Sequence, residues 1–142
     1  MAMRRLIFVL AATAILFVHP ASGDEQSELK LWRAVHIYST YKMSEAMSGA
    51  CKKWQPQASA VVDAAVRALH DKHAAKIEGA QRALSEKSSE ASLKTADADL
   101  LEMRNKLDER FQSVPAEQRR DWCEKFPERI QSADQVLTHS LL

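Results

Sequence analysis

The sequence predicts an all-α fold: an antiparallel helical bundle of three long and two short helices, stapled by one disulfide. Three observations carry that prediction. The 142 residues hold only three glycines and four prolines. Those two types cost a helix interior most, and alanine, which costs least, is abundant. Apolar residues recur at three- and four-residue steps over long stretches, the period of a helix face. No stretch alternates polar with apolar residues as a half-buried strand does, and no Asn-Gly or Asp-Gly turn marks a hairpin. The hydrophobic share of 46% and charged share of 27% are those of a globular domain.

Residues 1–23 stand apart from the rest. Met1 to Arg5 form a short basic start, Leu6 to Val18 are apolar but for Thr13, and His19-Pro20 precede Ala21-Ser22-Gly23. Basic, apolar, breaker, small-x-small is the order of a secretory signal peptide. The apolar run is too short to span a bilayer, which takes about 20 residues. The expected organisation is a signal peptide over 1–23 and one helical domain over 24–142, periplasmic or secreted, with no stable membrane insertion after cleavage. Removing 1–23 takes Arg4 and Arg5 and no acid, leaving 18 cations against 19 anions, a net charge of −1. A nearly neutral chain without a basic stripe has no electrostatic pull toward nucleic acid.

Export carries Cys51 and Cys123 into an oxidising compartment, where two cysteines allow a single pairing. The enclosed loop is long, and loop-closure entropy assigns such a bridge roughly 4 kcal/mol. No Cys-x-x-Cys is present, so no local thiol is available for disulfide exchange.

The first helix is expected from about Ser27 to Trp54. Leu29, Trp32, His36, Met43, Met47, Ala50 and Trp54 fall on one side, the expected core stripe, with Cys51 at its edge. Pro56 breaks the pattern and suits the first turn of a second helix, about Pro56 to Ser85. Ala58, Val62, Ala65, Val66, Leu69, His73, Ala80 and Leu84 make its apolar side. The stretch Ser85 to Ser92 is polar and serine-rich, which marks a turn, and Ser88 or Ser89 suits a helix cap. A third helix follows, about Glu90 to Val114. Its stripe is Leu93, Ala96, Leu100, Met103, Leu107, Phe111 and Val114, with Glu102 and Lys106 as an i,i+4 pair. Pro115 begins a fourth helix carrying Trp122, Cys123 and Phe126. Pro127 restarts a last one with Ile130, Ala133, Val136 and Leu137.

The first helix is apolar on a second side as well, at Ile37, Tyr38 and Tyr41, flanked by Lys30 and Lys42. Such a helix is either central in the bundle, the more ordinary arrangement, or presents one side to a partner. Aromatics are enriched at binding surfaces, which makes Ile37, Tyr38 and Tyr41 the candidate partner-binding residues.

His70 and His73, at i,i+3, are the candidate metal ligands. A site there needs a third ligand from elsewhere, and neither His-Glu-x-x-His nor Glu-x-x-His occurs in residues 24–142. A packed histidine pair is the more ordinary use of such positions, so no metal or other cofactor is expected. Cys-x-x-Cys-His haem attachment is excluded. A bound haem would have to draw on histidines with Met43, Met47 or Met103, and methionine on a core stripe ordinarily packs. No Gly-x-Ser-x-Gly and no phosphate loop is present, and a disulfide removes both thiols from catalysis. The expected function is a non-catalytic protein-binding module of inhibitor, immunity or chaperone type, whose partner is another exported protein. The alternatives are a metal or haem carrier using His36, His70 and His73, and a hydrolase with a site assembled from scattered residues.

Overall fold

The computed structural model describes residues 23–142, so the leader, apart from Gly23, lies outside the described residues. Among the described residues there are helices and no strand. The three long helices are α1, Gly23–Trp54, α2, Ser59–Leu84, and α3, Glu90–Ser113. α4 covers Ala116–Glu124, α5 is the single turn Phe126–Arg129, and α6 covers Gln131–His139. The last helix expected from the sequence is α5 and α6 together. Bonds from Ile130 N–H to Phe126 O and from Asp134 N–H to Ile130 O carry the helical pattern across their joint.

Prolines set three of the breaks. Pro56 opens a 3-10 turn, Pro56–Ala58, ahead of α2, Pro115 immediately precedes α4, and Pro127 lies in the first turn of α5. The N–H that proline lacks has no helical acceptor at such places. The serine-rich stretch makes the remaining long break. Lys87–Ser89 form a 3-10 turn, and Ser89 stands buried at the N-cap position of α3 without a side-chain capping bond.

Cross-helix pairs fix the directions. Lys52 with Asp63 and Tyr41 with His70 make α2 antiparallel to α1. Tyr38 with Asp97 and Trp54 with Asp108 make α3 run back alongside α1. The bridge at Cys51–Cys123, with Trp32 near Val136, makes α4–α6 descend again. α1 is the central helix: it packs along α2, along α3 and against α6, while α2 and α3 touch little and α3 and α6 form no extended contact.

The core line of α1 is Ala34, Ile37, Tyr41, Ser44, Ser48 and Cys51, all buried. Alternating steps of three and four keep one line of a helix against its neighbours. The hydroxyl of Ser44 donates to Thr40 O at 3.0 Å, which satisfies it inside its own helix. α2 contributes Val62, Leu69, His73, Ile77, Ala80 and Leu84. The α5–α6 arm contributes Phe126, Ile130, Ala133 and Leu137. Truncating a buried ring such as Phe126 costs about 3–5 kcal/mol. α3 is bound less deeply. Its buried residues are Ala96, Leu100 and Phe111, and Met103, expected in the core stripe, is exposed, as is Leu101.

The disulfide fastens the end of α1 to α4. Trp122 meets Phe111 edge-on with centroids 5.2 Å apart. Arg119 donates to Phe111 O and Val114 O, each at 2.8 Å, and lies over the Trp54 ring. Trp54 Nε1 donates to Asp108 at 2.8 Å, and Lys53 pairs with the same carboxylate. These donors, Lys53 foremost, hold the Asp108 carboxyl below the usual carboxylate range.

Candidate interaction surface

Ile37, Tyr38 and Tyr41, the partner face expected from the sequence, belong to the interior and its edge. Ile37 is fully buried and Tyr41 nearly so, with the Tyr41 ring against His70 of α2 at a centroid distance of 5.6 Å. Tyr38 is half-buried and donates its hydroxyl to Asp97 Oδ1 at 2.8 Å. Burial first, and then the neighbouring carboxylates Asp97 and Glu45, push the Tyr38 phenol up to about 12. Burial and then Glu45 do the same to Tyr41. The physical reason for the correction is the position of α1. A helix flanked by α2 and α3 turns this apolar side inward, so Ile37 and Tyr41 are part of the core and Tyr38 is engaged by α3 at its edge.

The histidines have separate engagements. His73 is buried, and its Nε2 lies 2.6 Å from Asp134 Oδ1 on α6, where Lys72 Nζ also donates to Oδ2 at 2.8 Å. Lys72 first and His73 second hold the Asp134 carboxyl below its usual range. The pair thereby ties α2 to α6. His70 Nδ1 lies 3.5 Å from Asp71, beside the Tyr41 ring. Among the described residues no group of three or more His, Cys, Asp or Glu side chains gathers as a metal site. Among them, too, no helix is long and apolar enough to cross a membrane.

The open face of the molecule is the other side of α1. Trp32, expected in the core stripe, is 63% exposed, and Leu29 is 47% exposed. His36, expected as a core histidine, is exposed and stacks on Trp32 with ring centroids 5.4 Å apart and planes 6° apart. Trp32 lies with α3 on one side and α6 on the other, and those two helices make no extended contact over that side of α1.

Trp32 stands as a ridge between two grooves. The groove toward α3 has a volume of about 510 Å³, a floor of Leu31, Val35, Ala91 and Ala96, and the carboxylates of Glu28 and Asp99 on its rim. The groove toward α6, about 390 Å³, is bordered by Arg33, His36 and His139. One bank is therefore acidic and the other basic, with an indole between them. An exposed aromatic beside an apolar groove with polar edges has the make-up of the centre of a protein interface. No signal in the sequence marks this face, since Leu29, Trp32 and His36 sit at core-stripe spacing.

No protein family, no curated protein and no solved structure matches the chain.

Proposed function

We propose that this chain is an exported, non-catalytic protein-binding module, periplasmic or secreted, of inhibitor, immunity or chaperone type. Its partner is another exported protein, and its docking face is the Trp32 seam. The observation that carries this is a stacked Trp32–His36 pair held in solvent between two grooves of a bundle whose other two tryptophans are half-buried. A large exposed ring forgoes the burial that drives folding, and a binding partner restores that burial. The secretory pattern of residues 1–23 and the Cys51–Cys123 bridge support the address. The carrier alternative has less support. His36 lies on the open seam, His70 beside Tyr41 and His73 on Asp134, each with a different neighbour.

The test is capture from the exported fraction of the source cells by the oxidised protein, run beside Trp32→Ala and Leu101→Ala. Leu101 is an equally exposed apolar residue on α3 outside both grooves. A specific partner is expected on the unaltered chain and on Leu101→Ala. Its retention should fall at least tenfold on Trp32→Ala, since central tryptophans carry 2 kcal/mol or so of interface energy. Equal retention by Trp32→Ala, or no specific partner at all, sinks the proposal.

A further inference from the structure

We infer that in the free protein the occupant of the Trp32 face is a second copy of the same face, each copy's indole seated in the α1–α3 groove of the other. This rests on the seam being a protein-docking face.

A two-fold interface needs a patch that complements itself: if one residue meets another across it, the reverse contact must exist too. That requirement calls for a projection and a matching recess on one face. Trp32 is the projection, 63% exposed. The recess lies directly beside it, with a floor of Leu31, Val35, Ala91 and Ala96 and a volume of about 510 Å³. An indole brings roughly 150–250 Å² of surface to bury, and the seating happens twice in a symmetric pair.

Charge selects the same groove. Glu28 and Asp99 on its rim are in no ion pair among the described residues, and neither is Arg33, the chain neighbour of Trp32. When Trp32 of one copy enters the α1–α3 groove of the other, Arg33 arrives with it at those carboxylates. The groove toward α6 is bordered by Arg33, His36 and His139 and offers that arginine no anion. A two-fold axis running beside α1 sets the acidic bank of each copy over the basic bank of the other, and like charges stay apart.

The experiment is sedimentation equilibrium of the purified, oxidised exported form, residues 24–142, at micromolar concentration, with circular dichroism to verify that each variant is folded. A dimer is expected. Trp32→Ala, on an exposed side chain that the core does not use, should sediment as a folded monomer. Asp99→Arg and Arg33→Asp should each raise the dimer dissociation constant roughly tenfold. The double variant Asp99→Arg/Arg33→Asp should recover most of that loss, because each reversed charge again faces an opposite one. A dimer indifferent to Trp32→Ala, or a double variant no tighter than the singles, overturns the inference. A monomer that still captures another exported protein through Trp32 overturns the second copy as occupant and leaves the docking face standing. A monomer whose capture is also blind to Trp32→Ala overturns both.

Discussion

The two ends of α1 are one continuous helix with opposite fates. Its carboxy-terminal end is held by the Cys51–Cys123 bridge, by Lys52 on Asp63, by Trp54 and Lys53 on Asp108, and by Arg119 over the Trp54 ring. Its amino-terminal end carries residues just as apolar, Leu29 and Trp32, and leaves them in water. Apolar content alone therefore does not decide burial along this helix. What decides it is whether neighbours close over the helix: α3 and α4 close around Trp54, whereas α3 and α6 flank Trp32 without meeting over it.

The contrast can be broken most forcefully at the bridge. Cys51→Ser with Cys123→Ser opens a 72-residue separation, and loop entropy puts the loss at about 4 kcal/mol, near a thousandfold in the folding equilibrium. Urea unfolding of the variant and of the oxidised parent measures it; a difference below about 1 kcal/mol would mean that the surrounding aromatics hold the end of α1 unaided. Between the two ends sit Tyr38 and Tyr41, the only tyrosines of the chain. Folding raises both phenols from 10.0 to about 12. Groups raised in this way support the fold fully below the unfolded value, and the support is lost as pH rises through the folded one. Absorbance at the phenolate band should accordingly stay flat past pH 10 and climb near pH 12 together with loss of helix. Ionisation near pH 10 in a still-folded chain would place these rings in solvent.

A smaller effect is expected at Asp108. Asp108→Ala leaves Trp54 Nε1 and Lys53 without their acceptor, and a half-buried donor so stranded costs about 1–3 kcal/mol. Smallest of all should be Trp32→Ala, within about 0.5 kcal/mol of the parent in a urea assay run dilute enough that both are monomers, because the folded chain does not enclose that ring. A loss as large as that of Asp108→Ala would erase the distinction between the two ends.

Much of the fold was legible in the residues. Pro56, Pro115 and Pro127 announce breaks, and the scarcity of glycine leaves the segments between them no better choice than helix. The cysteine pairing followed from there being two. The orientation of α1 was not legible, and its core line shows why. Ala34, Ser44 and Ser48 are small or polar, so the buried line of this helix has less apolar signal than the side bearing Leu29, Trp32 and Met43. A serine hydroxyl satisfied by its own helix, as Ser44 is by Thr40 O, can lie in a core without a hydrophobic label. The candidate site was hidden for a related reason. The grooves beside Trp32 exist because α3 and α6 do not close over it, a relation between segments some forty residues apart that periodicity within one segment does not record.

The bridge has one more consequence, for survival among proteases. The serine-rich link at 85–89, exposed but for Ser89, is the natural point for a first cut, and it lies between Cys51 and Cys123. A clip there parts the chain in sequence but not in mass: the two fragments stay covalently joined, and α1 keeps its hold on both. The nicked molecule should migrate as one species until a reductant is added and then as two, so a single wound does not set either fragment adrift.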